Sequence, residues 1–303
     1  MISEIVHSSV AGFTWVDVLN PSEEELLETA LAYQLQLKLL HDCMDSSHLP
    51  KWEKHGDITF LLLRTFDEGA GDEDCAIPEL TQKIAIFLTH DLLITVHRQE
   101  IDFIGQIKKY TAYNKNEPRQ AQFSILHFII QEALYSYEFP LQNAEELFTE
   151  LEESVFNDTA DESILGEIYL LKRKLSVYRR MLRQMLDALR RLELNSQEEQ
   201  KILDYSRTEG DRLISLTDAS MDNLHNLVNL QMSFQSNKAN EIIRVLTIYS
   251  AFFMPLTFIV DLYQANFETM PFLTSEAGNL SLWVLMFALC VGIYYWFNKK
   301  RWI

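Results

Sequence analysis

Hydrophobic and polar residues change their rhythm twice along this chain. Over roughly the first 115 residues, short apolar runs rich in β-branched side chains alternate with polar turns, as strands and short helices require. FTWVDVL, ITFLLLRTF, QKIAIFLT and LLITVHRQ predict the strands of a small sheet, the last two joined by a short turn at His90 and Asp91. After FTWVDVL, Asn20, Pro21 and a run of glutamates predict an N-cap, an N1 proline and a dipole-matched first turn for the helix SEEELLETALAYQL. From Gln120 the apolar spacing becomes three and four, which predicts helices over QFSILHFIIQEALYSYEF, AEELFTELEESVF and ILGEIYLLKRKLSVYRRMLRQMLDALRRL. Beyond the polar break LNSQEEQ, the periodic segment 201–240 has no proline and runs straight into an apolar stretch. It predicts one continuous helix of about 50 to 60 residues, against a usual length of about 11 to 12. Such a helix needs lateral partners, and neighbouring copies around a symmetry axis supply them.

The second change is the near disappearance of charge in residues 245–260 and 280–297. The second of these is about 27 Å of helix at 1.5 Å per residue, close to the hydrocarbon thickness of about 30 Å. The first spans if Ile242, Ile243 and Leu262 are added, with Arg244 snorkelling and Asp261 facing protein or water. Two core helices of a soluble domain would need a sheath that no later sequence supplies. Lys238 and Arg244 precede the first span, and Lys299, Lys300 and Arg301 follow the second. The residues between the spans carry Glu268 and Glu276 but no lysine or arginine, so both termini are expected to be cytoplasmic, with no signal peptide preceding them. Cys43, Cys75 and Cys290 lack framework spacing, as in a reducing cytosol. With 26 basic against 44 acidic side chains, a net charge of −18 argues against nucleic acid or anionic headgroups as partners of the soluble part and suits cations.

The first span carries a polar stripe. At about 100° per residue, and taking Thr247 as origin, Asn240 lies near +20°, Ser250 near −60°, Met254 near −20°, Thr257 near −80° and Asp261 near −40°. A charge in hydrocarbon costs about 2.5 to 3.5 kcal/mol even on the mildest scale, so the stripe must face water or protein. A polar seam between two helices accounts for the hydroxyls. It accounts poorly for Asp261, because the second span holds no basic residue before Lys299. With several copies turned inward, the stripe becomes a pore wall with hydroxyl rings, a thioether constriction and a carboxylate ring.

The residues now carry a family likeness. LTIYSAFFMPLTFIVDLYQANFETMP (246–271), the second span and the terminal KKRW resemble the CorA-type divalent cation transporters, whose pore helix has an MPLTF core and ends in a tyrosine and a Gly-Met-Asn triplet. The likeness continues through SNKANE (236–241) and, more loosely, WVDVLNPSEEEL and LPKWEKHGDITFLLLR. It implies a funnel-shaped homopentamer in an inner membrane: an α+β cytosolic domain built as an α/β/α sandwich (1–165), a helical stalk (166–240), a pore-lining span (241–262), an extracytoplasmic loop (263–280), a second span (281–298) and a basic tail (299–303). It also implies Mg²⁺ or another divalent cation as substrate and as regulator, and no cofactor. Asn266 matches the triplet asparagine, whose side-chain carbonyls hold the water shell of an entering ion, a sensible device for an ion that dehydrates reluctantly. Thr257, Met254, Leu246, Ile243 and Asn240 match successive pore positions, the aliphatic ones forming a hydrophobic gate, and Ser250 and Thr247 share their face.

Three departures bear on substrate. Gln264 and Ala265 replace the glycine and methionine of the triplet, Asp261 stands where the family usually has glycine, and Phe272 replaces a loop glutamate. A ring of Asp261 carboxylates would bind a divalent ion directly or share protons, so zinc or a monovalent cation stays open as the substrate, as does a sensor that no longer conducts. The acids Asp204, Glu209, Asp211, Asp218 and Asp222 on the stalk, with Asp67, Glu68, Asp72 or Asp74, are what the resemblance suggests as inter-subunit Mg²⁺ sensors. HDCMDSSH (41–48), expected in a loop between helix and strand, invites a zinc reading, but its spacing fits no closed structural site. An enzyme is not expected: nine glycines form no phosphate-cradling loop, and no nucleophile motif occurs.

Overall fold

A computed structural model describes residues 2–6, 13–113, 118–157, 163–194, 196–264 and 276–302 of the 303-residue chain. Strands β1 (Ile2–Val6), β2 (Thr14–Leu19), β3 (Lys51–His55), β4 (Ile58–Phe66), β5 (Thr81–Leu88) and β6 (Leu92–His97) form one sheet in the order β1-β2-β6-β5-β4-β3. Only β2 and β6 pair in parallel, from Thr14 opposite Leu92 to Leu19 opposite His97. Helices α1 (Glu23–Ala32) and α2 (Leu37–Met44) precede β3, and the single turn α3 (Ile77–Leu80) leads into β5. After the sheet come α4 (Asp102–Tyr113), α5 (Pro118–Tyr135), α6 (Glu138–Phe156), α7 (Ser163–Arg191), α8 (Gln197–Gln264) and α9 (Glu276–Lys299).

The alternation of strand side chains makes two cores. Val16, Val18, Phe60, Leu62, Phe87 and Ile94 face Leu26, Ala30 and Leu39 of α1 and α2. Trp15, Leu61, Leu63, Ile84, Ile86 and Leu93 face the later helices, including Ile129, Ile130, Met181 and Leu182. This is the expected α/β/α arrangement. The strands β1 and β3 and the helices α2, α3 and α4 escaped the pattern; KWEKH in β3 is charged because it is an edge strand with no fully buried position.

The helix start after β2 differs from expectation. Ser22, not Asn20, caps α1: its Oγ accepts from the Glu25 amide at 3.1 Å, and the Glu25 carboxylate accepts from the Ser22 amide at 3.0 Å. Pro21 lies outside the helix, and Asn20 turns the chain at a φ of 45°. The serine–glutamate capping box satisfies two end amides at once, which an asparagine two residues earlier cannot do.

The chain divides into two units, Met1–Val228 and Asn229–Ile303. In the first, α7 packs along α8. A Cβ on Gly210 of α8 would sit 3.2 Å from Leu186 of α7, so the glycine permits the close approach. Arg207 of α8 donates to the carbonyls of Leu189 and Leu192 at 2.7 and 3.1 Å, capping the end of α7. Across the same seam Arg179 and Arg183 pair with Asp218 at 2.6 and 3.1 Å. In the second unit, α8 continues and α9 follows. The whole of α8 is 68 residues, longer than the sequence predicted. Its C-terminal part and α9 are long and apolar enough to cross a membrane, and the most apolar windows are 0% and 6% buried, the opposite of soluble core helices.

Candidate functional site

Within the second unit the two helices meet along one face each. On α8, Ile248, Ala251, Phe252, Pro255, Leu256, Ile259 and Val260 are partly covered, and Phe252 stacks on Phe297 of α9 with ring centroids 6.4 Å apart. At about 100° per residue this face centres near +125° from Thr247, and the polar stripe near −40°, so the two are nearly opposite. Thr247, Ser250, Met254, Thr257 and Asp261 are all exposed, as are Asn240, Ile243 and Leu246. Met254 is 76% exposed, the most open large apolar side chain of this part of α8. The second span therefore covers the apolar side of the first and leaves the polar side open.

The two threonine hydroxyls on this face are bonded to their own helix. Thr247 Oγ1 donates to the Ile243 carbonyl at 2.7 Å, and Thr257 Oγ1 donates to the Phe253 carbonyl at 2.8 Å. With their protons committed to the backbone, both oxygens keep lone pairs that can accept further hydrogen bonds. Asp261 lies one turn beyond Thr257, and the exposed Gln264 ends the helix one turn further. Among the described residues no cationic side chain pairs with Asp261; Arg244, at the other end of the span, pairs with Glu241 at 3.6 Å. Pro255 stands inside the helix, so the Ala251 carbonyl lacks its usual amide donor, a point the sequence pattern had passed over. Asn266 and Phe272 lie outside the described residues.

Within one chain several of the acids suggested as sensors already have partners of their own. Asp67 accepts from the Gly69 amide and from Gln82 Nε2, both at 3.0 Å. Asp67 and Glu68 line a cleft of about 510 Å³ with Glu100, Asp102 and Glu132, and no cationic side chain is among its lining residues. Burial raises the Glu132 carboxyl above its ordinary range. On α8, Asp204 pairs with Arg207 at 2.7 Å, Glu209 with Arg212 at 2.5 Å and Asp211 with Arg190 at 3.0 Å. Among the described residues no three His, Cys, Asp or Glu side chains converge as a metal site.

The 41–48 segment differs from the expected loop. His41 to Met44 are the last turn of α2, and the loop begins at Asp45. Its carbonyls accept from cations on or just beyond the sheet: Lys83 donates to the carbonyls of Asp42 and Asp45, Arg64 to those of Ser46 and His48, and Arg98 to that of Met44. His48 meets Asp42 at 3.3 Å, and Lys51 meets the same carboxylate at 2.5 Å. The segment is a cation-capped helix end. Burial pushes Lys83 down to about 8. A second internal cluster joins Asp17, which is fully buried, to Lys108 at 2.6 Å, His97 at 3.1 Å and Thr95 at 2.5 Å. Burial opposes ionisation of Asp17, but the His97, Lys108 and Thr95 contacts outweigh it and hold the carboxyl below its ordinary value. Single charges inside apolar strands, the Asp of WVDVL, the Arg of LLLRTF and the Lys of QKIAIF, were the signal for both clusters.

Comparison with known proteins bears on the chain as a whole. The CorA-like Mg2+ transporter protein family matches residues 10–301. The chain is 26% identical over 299 residues to the cobalt/magnesium transport protein CorA of Thermotoga maritima, covering 96% of this chain and 83% of that one. It is 20% identical over 264 residues to the zinc transport protein ZntB of Yersinia enterocolitica, covering 84% and 77%. The solved structure of the complete CorA magnesium transporter from Methanocaldococcus jannaschii shares the fold, with a TM-score of 0.79 at 22% identity, covering 96% of this chain and 92% of that one. An α/β domain, a helix of 68 residues whose C-terminal part is apolar and a second apolar C-terminal helix thus agree with the match along nearly the whole chain: it belongs to the CorA-like Mg2+ transporter family.

Proposed function

We propose that five copies of this chain form a cation pore in a bacterial-type inner membrane, with both termini cytoplasmic, and pass Mg²⁺ inward down its electrochemical gradient. The single observation that carries this is the polar face of α8. It is exposed, lies nearly opposite the side covered by α9, and ends in a carboxylate without a cationic partner among the described residues. Assembly around an axis turns that costly feature into a wall that a hydrated cation can follow. Asn266, beyond the described residues, receives the hydrated ion with Gln264 beside it; Asp261 forms the next ring. Thr257, Ser250, Thr247 and Asn240 supply oxygens down the pore, and Met254, Leu246 and Ile243 form the gate. Asp67 and Glu68 of one copy, facing Asp204, Glu209 or Asp211 of another, sense cytosolic Mg²⁺; protease protection of the cytosolic unit by millimolar Mg²⁺ tests this, and an identical digest in EDTA refutes it.

A second reading rests on Asp261 and on the likeness to a zinc transport protein. A ring of carboxylates holds a divalent ion directly, with stronger and less discriminating binding than waters held by amides. Flux into proteoliposomes decides. Mg²⁺ uptake that falls in Asp261→Ala and Asn266→Ala supports the first reading, and uptake of Zn²⁺ or a monovalent ion without Mg²⁺ the second. A correctly assembled pentamer that passes neither is a sensor without transport.

A further inference from the structure

The end of α9 is built more firmly than a charged tail requires. Arg301 adopts a φ of 56°, a left-handed position where helices usually place glycine. The turn closes through the Lys300 amide to the Trp296 carbonyl at 3.2 Å, Arg301 to Asn298 at 3.0 Å and Trp302 to Phe297 at 3.1 Å. These bonds fold Trp302 back over Phe297, with ring centroids 5.6 Å apart. Phe297 is also met by Trp296 at 4.9 Å and Phe252 at 6.4 Å, and is only 1% exposed. Lys300 Nζ stands 4.6 Å above the Trp296 ring.

The aromatic cluster therefore fixes Lys299, Lys300 and Arg301 in place at the end of a membrane-length helix. All three are exposed, and among the described residues no carboxylate pairs with any of them, in a chain with 44 acidic residues. Tyr295 and Trp296 remain 70% and 52% exposed beside them. Amphipathic rings of this kind settle at the headgroup level, and basic side chains at that level attract anionic lipid.

We propose that this cap is a binding site for anionic phospholipid headgroups of the cytoplasmic leaflet. Lys299, Lys300 and Arg301 meet the phosphate, and Trp296 and Trp302 hold them at its depth. The inference rests on reading α9 as a membrane span, and it gives the acidic protein one cationic surface with a distinct partner.

The test places full-length protein carrying Trp283→Phe in phosphatidylcholine vesicles that contain an equal minor fraction of brominated phosphatidylglycerol or brominated phosphatidylcholine. Trp296 and Trp302 are then the tryptophans within reach of the bromines. The expected result is quenching by the anionic lipid that reflects roughly fivefold or greater local enrichment at low salt. That excess disappears in the Lys299→Gln/Lys300→Gln/Arg301→Gln variant and is halved or less in Lys300→Gln, which preserves most of the flanking charge needed for insertion. Equal quenching by the two lipids overturns the proposal while leaving the span intact. So does an excess that survives in the triple variant, or a triple variant that loses its oligomer, which would assign the cations to another copy's carboxylates. No quenching by either lipid overturns the membrane reading as well.

Discussion

At position 261 a carboxylate sits one turn from a threonine whose hydroxyl proton is already bonded to the Phe253 carbonyl. In the proposed pore, that acid and that hydroxyl oxygen face the passing cation together. Asp261→Asn keeps the shape and removes the charge; it is expected to lower initial divalent uptake in proteoliposomes about tenfold, equivalent to about 1.4 kcal/mol of lost binding. Thr257→Val, which deletes the oxygen at constant volume, should lower it less. Lys83 titrates in the opposite sense to a stabilising ion pair. Burial lowers it from 10.5 to about 8, so in the folded state it gives up its proton first. The unfolded chain then binds more protons between those values, and stability contributed by Lys83 rises with pH across that window. Thermal unfolding of the detergent-solubilised protein should show this rise from about pH 8, and Lys83→Met should remove it. Asp17 behaves conversely. Its carboxyl is held below 3.8, so its contribution is complete above that value and is lost as pH falls through the lower folded one. Asp17→Asn leaves Lys108 without its buried counter-charge and should cost about 3 to 5 kcal/mol.

Among the elements, the long helix was the most legible and the edge strands the least. An apolar period of three to four sustained through residues 201–240 and into an uncharged span admits no other structure, and α8 is continuous from Gln197 to Gln264. The central strands β2, β4, β5 and β6 announced themselves because both their faces are buried, whereas β1 and β3 lie at the edges, where selection for apolar alternation is weak. The start of α1 was misplaced by two residues because Asn20 and Ser22 are both capping types, and only the reciprocal bond to Glu25 separates them. The helix end at 41–48 resembled a metal cluster because its stabilising cations come from Arg64, Lys83 and Arg98, distant in sequence. The α7–α8 seam makes its own prediction. Arg207 serves as the C-cap of α7, so Arg207→Met should destabilise the pair by about 1.5 to 3 kcal/mol and speed proteolysis at the connection near residue 196, read as a cleavage rate.

At the scale of the whole chain, the 68-residue α8 runs from the first unit into the second, where its C-terminal part is the first apolar span and α9 the second. The sequence period of about 100° per residue already places Asn240, Thr247, Ser250, Met254, Thr257 and Asp261 on one arc of α8, and all six are exposed. What the sequence alone did not reveal was its position relative to the second span, because that depends on how Phe252 and Phe297 pack. The central claim is that this face lines water while the opposite one does not. Single cysteines placed at 247, 250, 254, 257 and 261, and at 248, 252, 256 and 259, in a chain whose own Cys43, Cys75 and Cys290 are replaced, measure it directly by their rate of reaction with a membrane-impermeant thiol reagent in reconstituted protein. The account predicts fast labelling at the first set, slowed by millimolar Mg²⁺, and little at the second. Equal rates on both faces, or labelling confined to the face covered by α9, would contradict it.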